Sequence, residues 1–198
     1  MDKRVRDHFK KVDPILHSVL ADIPPVTIPK RTDYFVVLCE SIINQQLSEK
    51  AGDTIWKRFS ALFSNKKVTP EKVLALPDSK IRAVGTSWSK VAYIKNLATH
   101  VRQKTIRLDA LSNMSNEVII TELTKVKGIG PWTAEMFLMF SLGREDVFLY
   151  GDLGLRNAIK RLYKLKRDPT RKQLEKIVNK WAPYRTWAAR ILWRSLEL

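Results

Sequence analysis

The sequence has a single cysteine, Cys39, and three scattered histidines, His8, His17 and His100. One thiol excludes an intramolecular disulfide, a zinc site built on paired cysteines and a four-cysteine iron–sulfur cluster. The histidines are too dispersed for a metal cluster. Cys39 sits in the apolar run Tyr34-Phe35-Val36-Val37-Leu38-Cys39, where a buried, inert thiol is expected rather than a nucleophile. No stretch approaches the ~18 consecutive apolar residues of a membrane span. The opening Met1-Asp2-Lys3-Arg4-Val5-Arg6 has charge but no apolar segment behind it to act as a secretory signal. An intracellular, soluble protein is expected, cytoplasmic or nucleoid-bound in a prokaryote and nuclear in a eukaryote. Acidic residues are also scarce, 20 against 36 Lys plus Arg, a net charge of +16. On a chain that is 44% hydrophobic, this excess argues against disorder and for a polyanionic partner. Nucleic acid is the first candidate and an anionic membrane surface the second.

A chain of 198 residues accommodates one domain or two closely packed halves. Seven glycines and nine prolines punctuate it without a low-complexity linker. Apolar residues recur at three- and four-residue steps nearly throughout. Arg6 to Leu20 presents one apolar face, and Ile23-Pro24-Pro25 ends it. Tyr34 to Ile43 is apolar almost all round, as a central helix would be. Ser48 to Phe63 is amphipathic, and Thr69-Pro70 and Asp168-Pro169 read as capped helix starts. Gly85 closes a short helix after Asp78. Ser89–Gln103, Asn116–Lys125, Pro131–Leu142, Asp152–Leu165, Pro169–Trp181 and Tyr184–Glu197 complete nine or ten helices. Val147-Phe148-Leu149-Tyr150 is the one extended candidate, and one short run does not make a sheet. The expected class is all-α, a single domain over 1–198 with no helical repeat.

The segment Val126-Lys127-Gly128-Ile129-Gly130-Pro131-Trp132-Thr133-Ala134 joins two of these helices. A Gly-x-Gly turn lets backbone approach a ligand closely, and the N–H groups that open the next helix form a ready phosphate site. Such a grip contacts the DNA backbone without reading sequence. Lys125 and Lys127 flank the turn and favour this reading over a tight turn made for packing alone. Asp152 lies 22 residues beyond Gly130, where it also reads as the N-cap of the next helix.

Together with Asp146-Val147-Phe148-Leu149-Tyr150-Gly151-Asp152, this hairpin resembles the helix-hairpin-helix base-excision DNA glycosylases. The resemblance is closest to the branch of DNA-3-methyladenine glycosylase II. Two further blocks match: Ser41-Ile42-Ile43-Asn44-Gln45-Gln46-Leu47-Ser48, continued by Lys50-Ala51, and Trp181, Pro183, Arg185, Ala188, Leu192 and Trp193. The four blocks span Ser41 to Trp193. The larger bacterial members also carry an N-terminal β-rich domain, which this chain is expected to lack.

The resemblance implies two helical subdomains flanking an active-site cleft, double-stranded DNA with damaged bases as partner, and a monomer. Asp152 becomes the catalytic carboxylate, with Arg156 at a basic position common in the superfamily. A carboxylate can stabilise the positive charge that develops on the sugar as a base leaves, and can activate the attacking water. A base that is already cationic leaves without a general acid, so one carboxylate suffices. Trp132, Met136 and Trp193 are the implied base pocket, while Trp181 and Trp187 read as core. Gln45, Gln46 and Leu47 match the minor-groove wedge. Lys90, Lys127, Gly128, Gly130 and Thr133 are the candidate phosphate contacts. No cofactor is required. The family hairpin often holds a monovalent cation, K+ or Na+, on backbone carbonyls, here Thr124, Val126 and Ile129. Bifunctional members place a Schiff-base lysine where this chain has Trp132, and an indole forms no imine. The expected activity is therefore monofunctional removal of alkylated purines. The competing readings are a non-catalytic DNA-binding module and a bifunctional glycosylase/lyase.

Overall fold

In a computed structural model describing residues 1–198, the chain is all-helical and contains no β-strand. Twelve α-helices follow one another: α1 (Lys3–Val12), α2 (Pro14–Ser18), α3 (Tyr34–Asn44), α4 (Glu49–Ser60), α5 (Pro70–Ala75), α6 (Asp78–Ala83), α7 (Trp88–Arg102), α8 (Asn116–Thr124), α9 (Pro131–Phe140), α10 (Leu153–Leu162), α11 (Arg171–Val178) and α12 (Arg185–Ser195). No helix is long and apolar enough to cross a membrane. The chain divides into two compact units, Arg31–Phe137 and the two chain ends, Met1–Lys30 with Leu138–Leu198.

In the Arg31–Phe137 unit, α7 packs against α3, α5 and α6, and α3 also packs against α4. Leu38, Cys39, Ile42 and Ile43 of α3 are fully buried, each apolar side chain contributing about 1.5–3 kcal/mol of transfer free energy. Burial pushes the Cys39 thiol well above its ordinary pKa, so it stays protonated and inert. The caps follow local chemistry. Ser48, Thr69 and Ser87 each accept a backbone N–H three residues on, opening α4, α5 and α7.

The unit made of the two chain ends departs from the sequence reading at two places. The expected helix Arg6–Leu20 is two helices, because Pro14 lacks an N–H and its ring opposes continuation. Asp13 fills the break. Its Oδ1 accepts the Leu16 N–H at 3.1 Å, and its Oδ2 accepts the Trp181 indole N–H at 2.8 Å and the Tyr163 hydroxyl. Burial, reinforced by that bond, pushes the Tyr163 hydroxyl up. The start expected at Asp168-Pro169 lies at Thr170, which forms a capping box with Gln173, while the Asp168 carboxylate is taken by Lys160 at 2.7 Å. Residues 147–150 form no sheet, as expected of a single short run. Instead Thr186 accepts the Val147 N–H at 3.0 Å and donates to the Arg144 carbonyl at 2.6 Å. Trp181 and Trp187 are core, as expected.

Candidate functional site

One face of α7 organises the hairpin between α8 and α9. Lys90, Tyr93 and Asn96 follow at three-residue steps. Asn96 Oδ1 accepts the Lys127 backbone N–H at 2.9 Å, which fixes the turn from outside. Val126 and Ile129 are buried beneath it. Gly128 adopts φ 96°, and a Cβ there would lie 2.2 Å from Cγ of Tyr93. Gly130 has no heavy atom within 4 Å of the corresponding point. The sequence assigns both glycines one task, but the structure separates them. Gly128 is required by the fold, whereas Gly130 leaves open space beside the backbone, as approach by a ligand requires.

Above the turn is a cavity of about 800 Å³ lined by Gln45, Gln46, Lys90, Tyr93, Thr124, Val126, Lys127, Gly128, Ile129, Gly130, Trp132 and Thr133, with Ser87 and Ser89. Most residues singled out in the sequence for phosphate and wedge roles, and the three carbonyl residues, therefore share one hollow. Trp132 is 45% exposed at its edge, and Met136 is half-buried one turn further along α9. Lys125 pairs with Glu122 at 2.5 Å while staying half exposed, and Lys127, in the turn itself, is exposed.

Three candidates acquire roles that the sequence did not suggest. The Lys90 ammonium donates to the Ile43 and Gln45 carbonyls at 2.8 and 2.7 Å, closing the C-terminal end of α3. Partial burial lowers its pKa. The Thr133 side chain is buried, its hydroxyl 3.5 Å from Gln45 Nε2. Gln45 also donates to the Gly128 carbonyl at 2.8 Å, so its amide points at the hairpin and not outward as a wedge. Gln46 and Leu47 remain exposed, with Gln46 at φ 57°. Tyr93 and Asn96 were missed. Their signal is a polar face at three-residue spacing on a helix otherwise committed to core. Trp88, 61% exposed beside Ser87 and Ser89, was missed as well.

The carboxylate lies in the unit formed by the chain ends. Asp152 caps α10, its Oδ1 accepting the Leu155 N–H at 2.8 Å. The same oxygen accepts the Trp193 indole N–H at 3.1 Å. Trp193, expected in the base pocket, thus orients the carboxylate; its ring lies 6.0 Å from that of Phe140 at a 36° tilt. A Cβ on Gly154 would stand 3.1 Å from Asp152 Oδ1 and 3.4 Å from Trp193 Nε1, so this glycine keeps the carboxylate uncrowded. The chain leading to Asp152 is anchored by a bidentate pair, Arg185 to Asp146 at 2.6 and 2.7 Å. The Arg185 guanidinium holds the Asp146 carboxyl below the usual range.

The comparisons with known proteins concern the whole chain. Residues 39–184 match the family described as HhH-GPD superfamily base excision DNA repair protein. DNA-3-methyladenine glycosylase 1 of Schizosaccharomyces pombe is 37% identical over 92% of this chain and 81% of its own length. The structure of the Schizosaccharomyces pombe 3-methyladenine DNA glycosylase in complex with abasic DNA superposes with a TM-score of 0.86 at 32% identity, covering 99% of this chain and 98% of that one. The DNA-3-methyladenine glycosidase of Bacillus halodurans superposes with a TM-score of 0.87 at 35% identity, covering 98% and 89%. With the matched segment spanning most of its length, the chain belongs to the HhH-GPD superfamily of base excision DNA repair proteins.

Proposed function

We propose that this protein is a monofunctional DNA glycosylase that flips alkylated purines of the 3-methyladenine and 7-methylguanine type out of double-stranded DNA and hydrolyses the N-glycosidic bond. The observation that carries this reading is the carboxylate of Asp152, held at the start of α10 by two N–H donors on one oxygen and kept uncrowded by Gly154. As the bond from C1′ to the base nitrogen breaks, its electron pair leaves with the base and discharges the base's positive charge. The sugar becomes an oxocarbenium-like cation, which the carboxylate stabilises. Asp152 then accepts the proton of the water that attacks C1′, leaving an abasic site.

Lys127 and the open backbone at Gly130 support a sequence-independent hold on phosphate. Trp132 offers a partly exposed indole, with Met136 one turn further along α9, to a cationic base. The protein acts as a monomer, inside the cell where its substrate lies. The carbonyls of Thr124, Val126 and Ile129 are hard oxygens at one cavity and suit K+ or Na+, although the Val126 carbonyl already accepts the Ile129 N–H at 3.0 Å. Such a cation would brace the turn and take no part in the chemistry.

The deciding experiment is chromatography of bases freed from methylated duplex DNA, with borohydride added in a parallel reaction. Release of methylated purines without a trapped covalent adduct is expected. No release would return the protein to a DNA-binding module, and a trapped adduct would make it a lyase.

A further inference from the structure

We infer that Gln45 is a positioning residue that ties the loop carrying Gln46 and Leu47 to the hairpin, so that the hairpin's hold on the DNA backbone fixes where those side chains enter the duplex. This rests on the function proposed above and concerns how the base is extruded rather than how its bond is cut.

Gln45 is held from both its ends. Its carbonyl accepts Lys90 Nζ at 2.7 Å, and its side-chain amide donates to the Gly128 carbonyl at 2.8 Å, 83 residues away in sequence. A carbonyl accepts only, so the amide nitrogen, not the amide oxygen, must face Gly128. The next residue, Gln46, is in the left-handed region at φ 57°, a conformation that a side chain with a Cβ adopts at a cost. Around it the chain is pinned. The Leu47 N–H bonds the Asn44 carbonyl at 3.1 Å, and Ser48 caps α4. A loop with one strained residue, clamped on each side, presents its exposed residues in one orientation instead of several. Because the clamp on the N-terminal side ends on the turn itself, a shift of the turn on DNA carries the loop with it. A wedge that must fill the gap left by an extruded nucleotide gains from such pre-set aim, since no ordering is left to be done on binding.

The test uses the full chain with Gln45→Ala and Gln45→Glu, the latter similar in size but unable to donate when ionised. Three quantities are measured beside the melting temperature. They are affinity for undamaged duplex, fluorescence of 2-aminopurine placed next to a methylated purine as a report of unstacking, and single-turnover base release. In Gln45→Ala, affinity for undamaged duplex is expected to stay within about twofold, while unstacking and release fall about tenfold, the scale of one lost hydrogen bond. Gln45→Glu should lose at least as much of both and also bind undamaged duplex more weakly, because its carboxylate repels phosphate. Adding Gln46→Ala to Gln45→Ala should cost little more than either alone, because both act on one step. Wild-type unstacking and release in the variants would overturn the proposal. So would losses in all readouts that track the melting temperature, the mark of a merely structural brace. A wild type that unstacks the 2-aminopurine but frees no base defeats the glycosylase reading alone, and the variants then still decide the tie by fluorescence. One that does neither defeats both.

Discussion

Trp193 Nε1 donates to Asp152 Oδ1 at 3.1 Å, on the same oxygen that caps α10. Two substitutions separate the carboxylate's charge from its aim. Asp152→Asn retains capping ability and should leave the melting temperature nearly unchanged while lowering base release by ~10²-fold or more. The loss should be smaller for 7-methylguanine, which is cationic before its bond breaks and leaves as a neutral base, than for a neutral lesion. Trp193→Phe keeps the ring but removes the donor, and about a tenfold loss of release is expected with DNA affinity retained. Single-turnover kinetics and thermal melts check both, and near wild-type release by Asp152→Asn would reduce that residue to a cap.

Gly154→Ala sets stability against activity. Alanine is favoured over glycine in a helix by up to about 1 kcal/mol, so the variant should melt no lower than wild type. Its Cβ presses on Asp152 Oδ1 from 3.1 Å, and release should fall several-fold. If the melting temperature and the release rate fall together, crowding of the carboxylate is not the cause.

The two hairpin glycines should respond in opposite ways. Gly128→Ala puts a Cβ 2.2 Å from the Tyr93 ring at φ 96°, and a loss of more than about 2 kcal/mol of stability is expected. Gly130→Ala meets nothing within 4 Å and should fold normally, yet weaken binding to undamaged DNA at low salt. Denaturant melts and salt-dependent affinities distinguish the pair. Equal stability losses would show that both glycines serve only the turn.

Acid sensitivity should pass through Asp146. Its carboxyl is held below its unfolded value chiefly by the Arg185 hydrogen bonds, against the opposing cost of burial. A depressed carboxyl pKa stabilises the fold fully above the unfolded value, about 3.9, and that contribution is lost as pH falls through the folded value. With both side chains about one-third exposed, the pair contributes about 1 kcal/mol. Asp146→Asn should therefore melt lower at pH 7, and the difference should shrink as the pH falls below the unfolded carboxyl value of about 3.9. A constant difference across that range would assign the loss to packing.

Helix positions were largely legible because they depend on neighbours a few residues apart, such as Ser48, Thr69 and Asp152 with their backbone N–H partners. Pro14 was visible too, but its effect was overridden by the continuous apolar face on either side of it. The hairpin was legible in its glycine spacing, whereas Asp152 stood out from an ordinary cap only through the family resemblance. What stayed hidden depends on chain-distant contact. Gln45 meets Gly128 across 83 residues, Lys90 meets Gln45 across 45, and Trp193 meets Asp152 across 41. A glutamine read alone offers an exposed wedge as readily as a brace, and only the partner decides.

The bond between Asp13 and Trp181 joins residues 168 apart, within a unit built from both chain ends. During synthesis, Val5, Phe9 and Leu16 emerge well before α12 and Trp181, which cover them, an interval on the order of ten seconds at ribosomal speed. The intervening Arg31–Phe137 stretch is contiguous and has all its partners at hand well before then. The nascent chain thus carries a basic, uncovered amino-terminal helix while its middle closes. That interval, rather than any state of the finished enzyme, is when the apolar face of α1 is most open to water.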